Sequence, residues 1–323
     1  MTQPVRTGVI GVGNMGQHHA RIYASSPGSV LVGVADTNQE RAREIASRYD
    51  VEAFTDYRDL LARVEAVSIA APTTLHHRIG LDCLATGIHL LMEKPLAASA
   101  AEATELALAA HSSDLVLQVG HVERFNGAVQ ELHKIVEEPL FVECKRTGPF
   151  PQRNIEDGVV MDIMIHDIDI VLNLVNSRVI RTNVMGISVF SDRDDLVSVQ
   201  LQFECGTLAS IVASRASQNK ERTLCVTQKD SYVMLDYTEQ EIYVHRQSSS
   251  EHSLSKGALR YKQESLVERI FVHKDNPLKH EILHFLDCAA NGSPRHAAVS
   301  RELYSLEIAL AIVQQFKEQR QVA

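Results

Sequence analysis

The sequence predicts an α/β protein. Its first third reads as a doubly wound parallel sheet, and the rest reads as an α+β domain on a mostly antiparallel sheet. Three observations carry this. Short apolar, β-rich runs alternate with helical segments as far as residue 119. Beyond that point, runs of strand character follow one another with few helices between them. A glycine-rich turn, Gly11-Val-Gly13-Asn14-Met15-Gly16, stands where the first strand gives way to the first helix. Parallel neighbours need a crossover, which the helices supply, whereas successive strands pair antiparallel.

Residues 5–10 (VRTGVI) open the chain as a strand, and residues 15–25 have helical composition. Residues 30–35 (VLVGVA) are apolar throughout, as a parallel strand covered on both faces must be. Residues 38–49 are charged and helix-periodic, with Thr37 or Asn38 placed to cap them. A second buried strand, 66–71, stops at Pro72, and a helix over 75–85 ends before Gly87. A strand at 89–92, a helix at 99–110 and a buried strand at 115–119 complete a first domain, 1–122. In the second, 123–323, helices are predicted at 126–136 and 162–175. Strands are predicted at 140–145, 183–190, 196–203, 207–214, 223–227, 232–235, 242–245 and 266–272. An exposed loop is predicted at 247–257, and closing helices at 277–290 and 300–318.

The chain has 323 residues, enough for two domains of about 150 each. It can bury a full core without disulfides or metal. Lys and Arg total 32 against 41 Asp and Glu, a formal charge of −9, which disfavours nucleic acid as a partner. Five dispersed cysteines with no C-x-x-C argue against a disulfide framework or a zinc site and for a reducing compartment, the cytoplasm. The N-terminal residues lack an apolar leader, and no run of about 18 apolar residues offers a membrane span.

Five constellations carry chemistry. In the glycine turn, Gly11 permits the tight bend, Gly13 lets the backbone approach a pyrophosphate, and Gly16 allows close helix–strand packing. Asp36 follows at the end of the second strand, where a carboxylate accepts from the adenine ribose hydroxyls and repels a 2′-phosphate. No arginine is adjacent to it in sequence, so NAD is favoured over NADP. Glu93-Lys94-Pro95 follows the strand HLLM, which aims the Lys94 ammonium at the crevice beyond the strand ends, placed to stabilise a developing alkoxide. Asp162, His166 and Asp169 stand at i, i+4 and i+7 on one helix face, and a histidine held by a carboxylate is an acid–base pair near neutral pH. The competing reading of His166 is a satisfied core histidine, and a metal site there lacks a clear further ligand set. His121, Arg124 and Asn126 lie at the domain junction, and Arg146 and Arg153 flank a Pro/Gly loop ahead of the His166 helix. Forked guanidinium contacts suit a phosphate or diphosphate, while a solvated loop is the plain alternative.

The segments GVIGVGNMGQHHA, AAPTTLHH, GIHLLMEKP, VGHVERFN and DIMIHDID resemble the glucose-fructose oxidoreductase / inositol dehydrogenase / rhizopine catabolism (Gfo/Idh/MocA) family over essentially the whole chain. The resemblance implies a Rossmann domain and an open-faced sheet domain that assembles dimers or tetramers. It implies a nicotinamide-dependent sugar or cyclitol dehydrogenase. It places the catalytic lysine on Lys94, the base on His166 and its supporting carboxylate on Asp162. Cofactor contacts are implied at Gly11, Gly13, Asn14, Met15, Gly16, Asp36, Thr37, Ala71, Pro72, Thr73, His76, Glu93, Lys94 and His121. Substrate contacts are implied at Lys94, Arg124, Asn126, Arg146, Arg153, Asp162 and His166. The segments GHVERFN and RTGPFPQR narrow the resemblance to a subgroup of UDP-N-acetylglucosamine 3-dehydrogenases, whose 3-keto product a pyridoxal-phosphate aminotransferase converts to a 3-amino sugar for lipid A. Gly127 departs from that subgroup, which often has Pro there. The alternatives are a dehydrogenase of a free sugar or cyclitol, and a non-catalytic NAD-binding regulator.

Overall fold

The computed structural model describes residues 3–151, 157–247, 251–255, 258–262 and 265–322. The chain forms two compact units, residues 1–125 with 276–310 and residues 126–275 with 311–323.

The first unit begins with β1 (Val5–Ile10), α1 (Gly16–Ser25), β2 (Ser29–Ala35), α2 (Gln39–Tyr49), β3 (Glu52–Phe54) and α3 (Arg58–Leu61). It continues through β4 (Ala66–Ile69), α4 (Thr73–Ala85), β5 (His89–Glu93), α5 (Ala100–Ser112) and β6 (Leu117–Gly120). The sheet order is β3-β2-β1-β4-β5-β6, parallel throughout. Every residue of β4 and β6 is buried, including the polar Ser68 and Gln118, as strands covered on both faces must be. Asn38 caps α2 by accepting the Arg41 N–H at 3.0 Å, and Ser99 caps α5 through the Glu102 N–H at 3.3 Å. The strand order reverses between β1 and β4, the place where open α/β sheets bind ligands.

The second unit holds α6 (Gly127–Ile135), β7 (Phe141–Thr147), a π-helical turn (Val160–Met164) running into α7 (Ile165–Val175), β8 (Val179–Ile187), β9 (Leu196–Phe203) and β10 (Leu208–Ser214). Then come β11 (Glu221–Thr227), β12 (Ser231–Asp236), β13 (Glu241–Gln247), β14 (Glu251–Ser255), β15 (Ala258–Lys262) and β16 (Ser265–Ile270). Its eight-stranded sheet runs β16-β13-β12-β11-β7-β10-β9-β8. All pairs are antiparallel except β7 with β10, which lie parallel because α7, β8 and β9 intervene between them. α6 packs against β12 and β13 and α7 against β10, and Val197, Val199 and Leu201 of β9 are buried. Met185, Ile187, Leu208 and Met234 stay exposed. The chain closes with α8 (Pro277–Asn291) and α9 (Val299–Val322).

Three expectations are corrected. The segment read as a loop, 247–257, contains β14, which pairs with β15 as a local hairpin. A hairpin needs only antiparallel backbone pairing, which a polar composition does not forbid. Residues 276–310, read as part of the second domain, fold with the first unit. There Leu278, Ile282, Phe285 and Leu286 of α8 complete the core formed by Ile22, Tyr23, Val9 and Val34. β3 and α3 went unpredicted because they span only three and four residues.

Candidate functional site

In the first unit, the predicted residues gather at the carboxyl ends of the strands. Gly11 follows β1, Asp36 follows β2, Lys94 follows β5, His121 follows β6, and Ala71 stands two residues past β4. Gly11 adopts φ +83°, and a Cβ on it would fall 2.7 Å from the Ala70 carbonyl oxygen. A Cβ on Gly16 would lie 1.8 Å from the Gly11 carbonyl oxygen. Gly13 differs: nothing stands within 4 Å of where its Cβ would be. This is open space beside bare backbone, at the start of a helix that no side chain caps. The turn therefore fits a dinucleotide pyrophosphate, with free N–H groups and the positive helix end towards it. Asn14 and Thr37 are exposed and Met15 half-buried around this turn.

Asp36 is locked in place. Its carboxylate accepts from the Val12 N–H (3.0 Å), the Asn38 N–H (2.9 Å) and Arg41 (3.1 Å). An arginine thus does stand beside Asp36, five residues on in sequence, with its charge met by the carboxylate. His76 is buried between the carbonyls of Ala71 (2.8 Å) and Pro95 (2.9 Å), joining the turn after β4, with Pro72 and Thr73, to the loop after β5. Both ring nitrogens face carbonyl oxygens, which only accept; these bonds favour the protonated ring, but burial outweighs them and holds the group below its usual range. His76 thus shapes the backbone around the cofactor residues.

Lys94 is half-buried and joined to Pro95 by a cis peptide bond. The residue before it, Glu93, ends a buried chain that the sequence does not reveal. Tyr23 and Ser68 share a hydrogen bond (2.8 Å), as do Ser68 and His19 Nδ1 (2.9 Å), and His19 Nε2 donates to Glu93 (3.0 Å). The last direction follows because an ionised carboxylate only accepts, which puts a ring proton on Nε2. Burial raises the Glu93 carboxyl, but the His19 bond, with the charges of His19 and Lys94, outweighs it and holds the group below its usual range. Burial and the Glu93 charge push the nearby Glu281 carboxyl well above its usual range. Both of its oxygens lack a hydrogen-bond partner.

In the second unit, Asp162 and His166 are half-buried and lie four residues apart, the first inside the π turn and the second in α7. π turns often mark functional sites because they widen a helix locally. Asp169 does not share this setting. It is buried in α7 and bonded to Asn173 (3.3 Å), so it serves the helix. Among the described residues no cluster of metal-ligating side chains occurs.

Three residues expected to contact the substrate have partners within the fold. Arg124, 5% exposed, pairs with buried Glu302 at 3.1 Å. Asn126 caps α6 through the Ala128 N–H (3.0 Å) and donates to the Tyr237 carbonyl (3.0 Å). Arg146, 3% exposed, makes a forked pair with Asp167 (3.0 and 2.8 Å) and lies over the Tyr237 ring. Each is held by a partner at least two elements away or by the local helix start, which spacing along the chain does not display. Arg153 lies outside the described residues.

Residues 5–121 match the family model of the oxidoreductase family with NAD-binding Rossmann fold, and residues 127–233 match the GFO/IDH/MocA C-terminal domain. The chain belongs to the Gfo/Idh/MocA family. It is an NAD-binding oxidoreductase. Among its relatives is the UDP-N-acetylglucosamine 3-dehydrogenase of Acidithiobacillus ferrooxidans, 35% identical over 246 residues, 76% of this chain and 78% of that one. A solved structure bearing that name superposes with a TM-score of 0.90 at 31% identity, covering 98% of both chains. An inositol 2-dehydrogenase/D-chiro-inositol 3-dehydrogenase of Shouchella clausii is 34% identical over 187 residues, 54% of each chain. Among the described residues no helix is long and apolar enough to cross a membrane.

Proposed function

We propose that this family member oxidises a sugar hydroxyl to a ketone, and that its substrate is the C3 hydroxyl of UDP-N-acetylglucosamine. The observation that carries the substrate is the match along three quarters of the chain to a dehydrogenase named for that reaction. NAD, when bound, supplies the hydride acceptor. His166 removes the hydroxyl proton, Asp162 orients the imidazole and stabilises its protonated form, and the Lys94 ammonium donates to the reacting oxygen. Two electrons and the carbon-bound hydrogen leave as hydride and the hydroxyl proton leaves to His166, which balances the oxidation. Asp36 receives the adenine ribose, and the Gly11–Gly16 turn receives the pyrophosphate.

The 3-keto product suits an aminotransferase that makes a 3-amino sugar for lipid A. Five free cysteines suit the reducing cytoplasm. The exposed Met185, Ile187, Leu208 and Met234 suit a homodimer or homotetramer built on the open sheet. A second reading, oxidation of a free cyclitol, gains weight from Arg146, whose charge is already spent on Asp167.

The test is the near-ultraviolet absorbance of reduced nicotinamide, with NAD and UDP-N-acetylglucosamine beside myo-inositol, and with an aminotransferase and glutamate added in parallel. The nucleotide-sugar should turn over and myo-inositol should not; the reverse result replaces the substrate. His166→Ala should lower kcat by about 10²–10⁴-fold with NAD affinity unchanged. Intact turnover in that variant removes His166 as the base.

A further inference from the structure

Asp194 and Asp195 stand side by side just ahead of β9, 4% and 0% exposed, outside every group assigned to cofactor or substrate. Asp194 receives two consecutive backbone N–H groups, Val159 at its carbonyl (2.8 Å) and Val160 at its carboxylate (2.9 Å). Asp195 receives the N–H groups of Val189, Phe190 and Ser191 on one oxygen (2.7, 2.6 and 2.9 Å). On the other it receives the Ser191 hydroxyl (2.7 Å) and Arg215 Nε (2.6 Å). Arg215 reaches forward to the Asp157 carbonyl (2.8 Å) and binds the Ser191 hydroxyl oxygen (2.9 Å). Burial alone would raise the Asp195 carboxyl. The donors and the guanidinium overcome it and hold the group far below its usual range.

These bonds converge on one short stretch of backbone. Asp157 O, Val159 N and Val160 N are all tied to the Asp194–Asp195–Arg215 cluster, and the Asp162 N–H then closes the first turn on the Gly158 carbonyl (3.0 Å). The π turn starts at Val160, and the Ile165 N–H returns to its carbonyl. A π turn is a rare geometry that needs support from outside the helix. The contact is also close. A Cβ on Gly158 would lie 1.7 Å from Asp194 Oδ1, and the three atoms nearest to it are all of the Asp194 carboxyl group.

We propose that Asp194 is a positioning residue for the acid–base pair. Through Val159 and Val160 it fixes where the π turn begins, and so the direction in which Asp162 and His166 face the substrate hydroxyl. The Asp195–Arg215 pair braces it from behind. This rests on the reading of His166 as the base.

The test compares Asp194→Ala, Asp194→Asn, Gly158→Ala and the Gly158→Ala/Asp194→Ala double variant in the full chain, with His166→Ala as control. UDP-N-acetylglucosamine and myo-inositol serve as substrates. Asp194→Ala should lower kcat at least tenfold with the NAD Kd within twofold, because the pyrophosphate turn belongs to the other unit. Asp194→Asn keeps an oxygen for the Val160 N–H and should restore kcat to within threefold of wild type. Gly158→Ala should mimic Asp194→Ala, yet cost less than twofold more when added to it, since the atoms it strikes are gone. Hydrogen exchange at Val160 and Ile165 should quicken in Asp194→Ala and stay near wild type in Asp194→Asn, a readout that needs no substrate. Wild-type kcat or exchange in Asp194→Ala, or Asn no better than Ala, overturns the proposal. If Asp194→Ala fails to fold, the contrast between Asp194→Asn and Gly158→Ala decides it in the same way. Full turnover in His166→Ala marks instead the failure of the base assignment.

Discussion

Arg146→Met separates a structural guanidinium from a ligand-holding one. Methionine keeps most of the stem and removes the fork. In the native chain that fork meets both oxygens of Asp167, at 3.0 and 2.8 Å, and neither side chain is more than 4% exposed. Removing it strands a buried carboxylate, which typically costs about 3–5 kcal/mol. The stacking over Tyr237, 4.7 Å from the ring centre, is lost as well. For a unit of this size each kcal/mol moves the midpoint by about 2–4 °C, so Tm should fall by roughly 6–20 °C. Scanning calorimetry reads it, with the loss expected in the transition of the second unit. Arg146→Met/Asp167→Leu should recover most of the loss, because no charge is then stranded. At a temperature where the single variant is folded, its KM for the sugar substrate should stay within about threefold of wild type. An unchanged Tm with a KM raised tenfold would falsify the structural role and return Arg146 to the substrate.

Two further outcomes follow from the first unit. Gly16→Ala drives a Cβ to 1.8 Å from a rigid carbonyl oxygen, so the cofactor turn must open. NAD should bind at least tenfold more weakly by calorimetric titration, about 1.4 kcal/mol, and undiminished affinity would refute the packing role of that glycine. Glu281 carries a pH signature. Its carboxyl is raised in the fold by burial, so the native state holds a proton that the unfolded chain releases above its own lower value. Stability from this group is complete below the unfolded carboxyl range and fades as pH rises towards the folded value. Glu281→Gln, which is neutral at every pH, should raise Tm at pH 8 more than at pH 4. An equal shift at both would show that the carboxyl is not protonated in the native chain.

The cofactor half of the site was legible because its signals are local. A tight turn needs Gly11, close packing needs Gly16, and a carboxylate one residue past a strand end, Asp36, has its direction set by that strand. The mostly apolar strands β4 and β6 were legible for a related reason, since strands covered on both faces show no regular polar alternation, although each buries one polar side chain, Ser68 and Gln118. Asp162 lies inside the π turn and His166 in α7, both half-buried, and the spacing of four along the chain gave no sign of that turn. Asp169, one turn further on, was lost to the core.

Charge partners were not legible. Arg124 meets a carboxylate 178 positions away, His19 one 74 positions away, and Arg146 one 21 positions away. An arginine in a Pro/Gly loop looks the same on paper whether it faces a ligand or a buried aspartate. Which it faces depends on the segments that fold over it and exclude water, because only in that low-dielectric setting does one pairing prevail over solvation. The parallel β7–β10 pair and the return of α8 to the first unit have the same origin, in contacts between segments far apart in the chain. Family, fold and cofactor were therefore written in short motifs. The charge pairs and buried supports around those motifs arose only from long-range folding.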